Sequence, residues 1–416
     1  MKIILRRNFV LIKLLKDLKR RFVLFGIYCK FLYLIVCSKR KAQKQLHKLV
    51  WFGAYGNTNI GDDLVFFSLK KYISANVNIS LSCKQIEPTT DYGVNVFDRK
   101  NRIECINKII ESDALWVGGG GLFECYANTY SMGWILSHLE PLAYAMHYGK
   151  PYGIIGVGCN REPIPNKVIR CIFRKICNNA DFIITRDDKS KEGFENNGVR
   201  NIRLMASLDP VINYISPFKN CKSNIKTIGI LAWPFYMWPH FHKTTEIDSV
   251  YKSMSTERKE KHDKFLYELK LLIKKLQQDG FDIKFPVFHF SDTVLLKELN
   301  IPFKTAIPNI VDFISQIKEC DLIISMRYHG LITSVLCGKP VISISVQEKM
   351  YAFTDTFNMK HSEVRIEDFA AEKIIQKVEY INSSYENECN RLRSVLLFKQ
   401  NEIGKLYSNV VKDFFA

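Results

Sequence analysis

The sequence alternates short apolar runs with longer amphipathic stretches, and this order constrains the fold more than any other feature. The apolar run Leu49–Phe52 is followed by a stretch of helical spacing that begins at Asp62. Strand-then-helix order is typical of parallel sheets covered by helices. The pattern predicts strands at Leu49–Phe52, Ala114–Val117, Tyr152–Val157, Phe182–Thr185, Thr227–Ala232, Asp282–Phe288, Leu322–Ser325 and Val341–Ser345, and further helices at Ser131–Tyr148 (kinked at Pro141), Lys167–Cys177, Lys261–Gln278, Val311–Lys318 and Leu331–Cys337.

A polar, turn-rich segment, Ser216–Asn224, interrupts this alternation and is typical of an interdomain linker. The 416 residues also suit two domains, since one domain usually has ~100–200 residues. We therefore predict two doubly wound α/β domains, residues 49–220 and 221–366, that face each other across a cleft. Residues 367–416 read as helical and could pack back over the first domain.

The net charge of +18 is concentrated at the N-terminus. Residues 1–48 contain fourteen Lys and Arg and a single acid, Asp17, which leaves +5 for the other 368 residues. A nucleic-acid-binding domain would carry its cations along a folded face. The distribution therefore argues against a nucleic-acid partner and indicates a local function for residues 1–48.

Residues 1–48 have the composition of a basic amphipathic helix followed by an apolar run. Leu11, Leu14, Leu15, Leu18 and Phe22 share one helical face. The run from Phe22 to Cys37 has sixteen residues, fewer than the ~20 that span a bilayer. We predict an in-plane or re-entrant contact with a membrane surface, because anionic lipids attract Lys and Arg. A signal peptide or a helix docked on the protein's own core are the alternatives.

The twelve cysteines include no C-x-x-C pair, and their spacing predicts neither a metal site nor a disulfide framework. Reduced thiols in the cytosol are expected. We therefore predict a cytoplasmic protein that is peripheral on the inner face of the plasma membrane.

Two glycine-rich segments follow predicted strands. The first, Gly53–Asp63, reads GAYGNTNIGDD, and the second, Gly118–Glu124, reads GGGGLFE. Glycines at the carboxyl end of a strand allow backbone amides to approach a ligand, and such strand ends line the binding sites of open α/β sheets. Each segment could also be only a tight turn or a close packing contact.

Two cationic segments follow strands later in the chain. Arg186 ends one strand, where it could present its guanidinium to a cleft or pair with Asp187, Asp188 or Asp209. Arg327 and His329 follow the strand Leu322–Ser325 and precede a helix. A guanidinium, an imidazole and a helix N-terminus together suit an anionic phosphate ester. A core histidine and a surface ion pair are the alternatives.

In order, these four segments resemble the motifs of the polysaccharide pyruvyltransferase family. They are G-x-x-G-x-x-N-x-G-D, a strand entering a glycine run, R-D-x-x-S with a later D-P, and R-x-H-G followed by G-x-P-V-I, between Val50 and Lys349. One departure is Gln347, where the family often has an acid two residues before the lysine that follows the last strand. The neighbouring Glu348 could substitute.

The resemblance implies a fold similar to that of two-domain (GT-B) glycosyltransferases, phosphoenolpyruvate as the pyruvyl donor, and a sugar of a cell-surface polysaccharide or its lipid-linked precursor as the acceptor. It implies no cofactor and no metal. The family's R-x-H turn assigns donor binding to Arg327 and His329, and we extend this to Gly330 and Arg186. The first-domain motifs would face the acceptor, through Gly56, Asn59, Gly61, Asp62, Gly119, Gly120 and Glu124.

The predicted reaction gives His329, or an acid held near it, the role of acid and Arg327 the role of anion binder. Asp62 or Asp63 would accept the proton of a sugar hydroxyl. Two alternatives stay open at the level of sequence. One is a glycosyltransferase that uses a nucleotide sugar, for which Glu348 is the nearest candidate ribose- or base-binding carboxylate. The other is a membrane-tethered assembly protein without catalysis.

Overall fold

The structure of the protein is a computed structural model that describes residues 23–39, 41, 45–56, 59–84, 91–124, 129–215, 224–238, 247–303 and 309–416. The basic stretch 1–22 and all but the last residue of the predicted linker Ser216–Asn224 lie outside the described residues.

Within this part of the chain the strands form two parallel sheets. The first sheet has the order β3-β2-β1-β4-β5-β6-β7 and the second has the order β12-β11-β10-β8-β9. The strands are β1 (Lys48–Phe52), β2 (Asn78–Cys83), β3 (Asn95–Asp98), β4 (Ala114–Phe123), β5 (Tyr152–Cys159), β6 (Phe182–Thr185), β7 (Leu204–Ala206), β8 (Thr227–Leu231), β9 (Asp282–Lys284), β10 (Leu322–Ser325), β11 (Val341–Ser345) and β12 (Glu363–Arg365). We call the parts of the protein around the two sheets the first and second lobes.

Helices cover both sheets. The described helices are α1 (23–36), α2 (Ile60–Lys70), α3 (Arg102–Glu111), α4 (Thr129–Tyr148), α5 (Lys167–Asn178), α6 (Asp188–Asn196), α7 (Ile247–Ser253), α8 (Thr256–Gln278), α9 (Asp292–Glu298), α10 (Ile310–Glu319), α11 (Tyr328–Leu336), α12 (Glu348–Thr356), α13 (Ala371–Ser383) and α14 (Tyr385–Phe415). In this described part, no helix combines the length and the apolar character that crossing a bilayer requires.

The central strands form where the sequence is continuously apolar, because a strand between two helical layers is buried on both faces. Every residue of β5, β6, β10 and β11 is buried. Side-chain caps fix where helices begin. Asn166 accepts hydrogen bonds from the amides of Val168 and Ile169 at the start of α5.

The helix α14 joins the two lobes. At its first residue, the Tyr385 hydroxyl donates to the carbonyl of Asp321 beside the second sheet. Near its other end, Phe414 packs against Trp116 and Phe182 of the first sheet. The C-terminal helix therefore fixes how the second lobe sits against the first.

Two predicted strands end far from their predicted bounds, and the other predicted strand bounds lie within two residues of the observed ones. The strand predicted to end at Val117 continues through the glycine run to Phe123, because Gly119 and Gly120 adopt positive φ angles while neighbouring residues still pair with β5. The strand predicted over Asp282–Phe288 ends at Lys284. The chain then bends towards α9, which places Phe288 and Ser291 near the carboxyl edge of the second sheet.

Candidate active site

The carboxyl ends of both sheets lie at the contact between the lobes, and the side chains there form one polar cluster. His329 is the second residue of α11 in the second lobe, and Asp209 follows β7 in the first. The two side chains are buried, with Nε2 of His329 3.4 Å from Oδ2 of Asp209. Neither atom has a hydrogen-bond partner of good geometry among the residues that the structure describes. A buried pair of opposite character with unused hydrogen-bonding capacity is typical of a site that binds a polar ligand.

Asp62 brings a second carboxylate to this cluster. It lies in the first turn of α2, where its Oδ2 accepts a 2.8 Å hydrogen bond from the Asn59 amide and its Oδ1 lies against the Cα of Gly120. Burial raises the pKa of Asp62 to about 6, with Asp63 adding to the rise and His329 opposing it. A carboxylate with such a pKa can exchange a proton near neutral pH.

Asp63, the other candidate base, points elsewhere. Its Oδ1 accepts a 2.5 Å hydrogen bond from the Tyr92 hydroxyl inside the first lobe. The sequence offered Asp62 and Asp63 as equal candidates for the base, and the structure distinguishes them. The Asp62 side chain lies in the polar cluster, whereas the Asp63 side chain hydrogen-bonds within the first lobe.

Arg186 and Glu124 are bound to each other. The guanidinium of Arg186 is only 3% exposed, pairs with the Glu124 carboxylate and lies 3.7 Å from Asp187. Burial alone would lower its pKa, but Glu124 and Asp187 hold the pKa above the ordinary value. Arg186 and Glu124 were predicted to bind the donor and the acceptor respectively, and the structure pairs the two charges with each other. An ion pair with Asp187 was the predicted alternative, whereas Glu124 was not among the predicted partners.

The aromatic ring of Tyr328 makes cation–π contacts with two side chains. The Arg186 guanidinium lies 5.7 Å from the ring centroid and the Nζ of Lys349 lies 5.5 Å from it. Burial and the nearby Arg186 lower the pKa of Lys349, although Glu124, Asp62 and Asp209 act in the opposite direction. No role was predicted for Lys349. Its position directly after the last motif, at the start of α12, is the sequence feature that could have indicated a place in the site.

Arg327 lies in a neighbouring part of the same edge. Its Nη2 donates to Asp292 and to the Ser291 hydroxyl at 2.9 Å, and its guanidinium lies 4.9 Å from the Trp233 ring. Burial raises the pKa of Asp292 despite the attraction of Arg327. Arg327 and His329 were predicted to present their side chains together, and the structure gives them different polar partners, Asp292 and Asp209. They are linked through Phe288, whose ring lies 5.8 Å from Arg327 and 6.2 Å from the imidazole.

The remaining predicted residues shape the walls of the site. Asn59 caps α2 by accepting the amide of Gly61 at 3.1 Å. The amide of Gly56, which was predicted to bind the acceptor, donates to the Tyr92 hydroxyl at 3.0 Å. Gly119 lies beside the Tyr55 hydroxyl, and Gly330 packs against the Ser325 side chain. The glycines thus allow close backbone approach around the cluster, with positive φ angles at Gly56, Gly119 and Gly120.

The sequence profile of the family described as polysaccharide pyruvyl transferase matches residues 59–348, more than half of the chain. The chain belongs to this family. The family is one of transferases that act on polysaccharides, and the matched region contains Asp62, Arg186, Asp209, Arg327 and His329. A comparison with curated proteins gave no match.

Solved structures similar to this pyruvyl transferase family member share its fold. A UDP-GlcNAc 2-epimerase from Neisseria meningitidis, bound to UDP-GlcNAc, has a TM-score of 0.52 at 13% identity, with 88% of this chain and 99% of that chain covered. A candidate UDP-N-acetylglucosamine 2-epimerase from Listeria monocytogenes has a TM-score of 0.52 at 9% identity, with 84% and 91% covered. The predicted GT-B-like architecture of two Rossmann-like lobes is therefore confirmed.

Proposed function

We propose that the protein transfers a pyruvyl group from phosphoenolpyruvate to a sugar hydroxyl of a cell-surface polysaccharide or its lipid-linked precursor, giving a pyruvate ketal. The observation that carries this proposal is the cluster of Asp62, Asp209 and His329 between the lobes, with Lys349 beside it. It combines a histidine, a carboxylate with a pKa of about 6 and a cation in one buried place. Donor activation and hydroxyl deprotonation need such groups.

Phosphoenolpyruvate carries a phosphate and a carboxylate, so its site must supply several cationic or hydrogen-bonding groups. We assign this role to His329 and Lys349, and Arg186 contacts the same Tyr328 ring as Lys349. Arg327 would hold the second anionic group of the donor. Its Nε is buried and has no hydrogen-bond partner in the described part of the chain, which supports a further contact there.

Protonation of the donor is assigned to His329. The imidazolium would deliver a proton to the methylene carbon of phosphoenolpyruvate, which leaves C2 electrophilic. Asp209 would stabilise the charged ring, since its own pKa is lowered by His329 and Arg186 even though burial raises it. An ionised carboxylate next to the ring stabilises positive charge on it by Coulomb attraction.

Asp62 would accept the proton of the attacking sugar hydroxyl. Addition of the oxygen to C2 is followed by cleavage of the bond from C2 to the phosphate oxygen, and a second hydroxyl then closes the ketal. Of the two hydroxyl protons, one balances the proton given to the methylene carbon and the other leaves with phosphate. Asp62 suits this step because a pKa of about 6 leaves it ionised at neutral pH and still basic.

A nucleotide-sugar glycosyltransferase remains the second candidate, because GT-B-like proteins include such enzymes and the Neisseria relative was solved with UDP-GlcNAc bound. Its recognition of ribose or base was predicted to require Glu348. That side chain is 76% exposed and pairs with Lys189 across the lobes. The position of Glu348 therefore favours the phosphoenolpyruvate donor.

Phosphate release distinguishes the two reactions. The purified protein is incubated with an oligosaccharide acceptor and either phosphoenolpyruvate or a panel of nucleotide sugars, and the released phosphate and nucleoside diphosphate are measured. We expect phosphate release and a pyruvylated product by mass spectrometry, both lost in His329→Ala. Nucleoside diphosphate release would refute the proposal. Absence of both, with no heat of phosphoenolpyruvate binding in calorimetry, would indicate the assembly protein without catalysis.

A further inference from the structure

The N-terminal helix α1 is fixed to the first lobe by one face. Phe31 and Leu34 are buried in the same apolar cluster as Ile135 and Leu139 of α4. Lys30 pairs with Glu140 of α4. These contacts make α1 part of the folded first lobe. For this face of α1, the predicted alternative of a helix docked on the protein's own core matches the structure.

The chain that leaves α1 is held to the same lobe. The amide of Lys39 donates to the carbonyl of Met146 at 3.2 Å. The Nζ of Lys41 lies 2.9 Å from the Asp181 carboxylate. Met146 and Asp181 both belong to the first lobe. The first lobe therefore contacts α1 itself and also the residues that follow its end at residue 36.

The opposite face of α1 is apolar and exposed. Phe25, Leu32 and Val36 are 66%, 53% and 79% exposed, and Cys29 between them is also exposed. Their spacing of four, three and four residues places them on one stripe along the helix. We call Phe25, Cys29, Leu32 and Val36 the outer stripe. A surface helix normally turns polar residues outwards, so α1 is unusual in being apolar on two sides.

The sequence that precedes α1 indicates what covers the outer stripe. Residues 1–22 contain eight Lys and Arg and one acid, Asp17. Cations attract the anionic headgroups of phospholipids, and apolar side chains next to them enter the acyl boundary. Protein partners seldom offer both a dense negative charge and an apolar layer beside it. An anionic bilayer surface offers the two together.

We infer that the outer stripe of α1 docks the protein on an anionic phospholipid bilayer, with α1 lying in the plane of the membrane and its inner face retained on the first lobe. This arrangement replaces the predicted alternative of a re-entrant anchor, because Phe31 and Leu34 are buried in protein and cannot enter lipid at the same time. The inference does not depend on the identity of the pyruvyl donor.

Vesicle flotation of the full chain tests this inference. Binding is measured to vesicles of equal parts phosphatidylglycerol and phosphatidylethanolamine, and to vesicles of phosphatidylcholine alone. The test variant is Phe25→Ser/Leu32→Ser/Val36→Ser. The matched control replaces three exposed apolar residues elsewhere, Ile202→Ser/Tyr267→Ser/Val311→Ser. A second variant, Lys19→Gln/Arg20→Gln/Arg21→Gln, lowers the charge before α1.

We expect the parent and the matched control to bind the anionic vesicles, and the outer-stripe variant to bind roughly tenfold more weakly or worse. The charge variant should bind more weakly and respond less to added salt. Unchanged circular dichroism and melting of each variant show that α1 still packs on α4. Undiminished binding by the outer-stripe variant would overturn the inference. A parent protein that does not bind anionic vesicles would also overturn it. So would a parent protein that sediments as a dimer when the outer-stripe variant sediments as a monomer.

Discussion

The Cα of Gly61, in the first turn of α2, lies directly against the imidazole of His329, so that a Cβ atom at residue 61 would overlap the ring. The two residues come from different lobes. The contact explains why the family motif places a glycine immediately before Asp62 at this point of the helix. It also fixes the position of the imidazole relative to the base proposed for the acceptor.

Gly61→Ala should therefore displace His329 and lower kcat/KM by about 100-fold, since a misplacement of about 1 Å is enough for such a loss. Steady-state phosphate release with phosphoenolpyruvate and acceptor measures the effect. Gly133→Ala is the control, because a Cβ atom at that residue of α4 meets nothing within 4 Å. A fully active Gly61→Ala enzyme would remove the imidazole from the proposed mechanism.

The raised pKa of Asp62 predicts the acidic side of the pH profile. The proposed base must be ionised, so kcat/KM of the parent should fall as the pH drops through about 6. Asp62→Asn should lower kcat/KM by about 100-fold or more at pH 7.5 and flatten this limb in the remaining activity. Asp63→Asn should keep the limb, since Asp63 binds Tyr92 instead. A parent profile that is flat between pH 5 and 7 would contradict the role of Asp62.

The same group predicts how stability depends on pH. A folded pKa above the ordinary value means that Asp62 favours folding while it is protonated, and this contribution is lost as the pH rises from about 4 to about 6. Asp62→Asn cannot ionise and should avoid the loss. We expect its melting temperature at pH 8 to equal or exceed that of the parent. A lower melting temperature would show that the charged carboxylate stabilises the fold.

The buried pair of Arg186 and Glu124 should contribute much more to stability than an exposed pair. Glu124→Gln removes the nearest described carboxylate from the 3% exposed guanidinium and leaves Asp187 3.7 Å away, which should cost about 3 kcal/mol of unfolding free energy. Glu348→Gln breaks the exposed interlobe pair with Lys189 and should cost less than about 1 kcal/mol. Denaturant unfolding of both variants measures the difference. Equal losses would show that the Glu124 pair is not buried in solution.

Most strands inside the sheets could be predicted from sequence, and most strands at the edges could not. Phe182–Thr185, Leu322–Ser325 and Val341–Ser345 have their predicted bounds because both faces are buried and the runs are mainly apolar. The strands β2, β3, β7 and β12 were missed. The strands β3, β7 and β12 are short and lie at sheet edges, and β2 alternates polar with apolar residues, so no continuous apolar run marks any of the four.

The location of the site could also be predicted, because parallel strands bring their carboxyl ends to one edge. The partner of each charged side chain could not. Arg327 binds Asp292, and Glu124 binds Arg186, across sequence separations that no local pattern encodes. Asp209 was predicted only as a possible partner of Arg186. In the structure its Oδ2 lies 3.4 Å from Nε2 of His329. Such pairings depend on how the two lobes pack, and therefore appear only in the folded structure.

Asp209→Asn tests whether the carboxylate next to His329 serves the reaction or only the fold. The substitution keeps the shape of the side chain and removes its charge. The Asp209 carboxylate lies 3.4 Å from Nε2 of His329, and its pKa is held below the ordinary value by His329 and Arg186 although burial raises it. Removing its charge should take away an electrostatic contact that orients the imidazole, and we expect kcat to fall by about 100-fold. The KM for phosphoenolpyruvate should change much less. Asp413→Asn, which removes the same charge from an exposed pair with Arg203, is the control and should not alter kcat. If Asp209→Asn lowers only the melting temperature and leaves kcat unchanged, Asp209 is a structural residue and His329 acts without it.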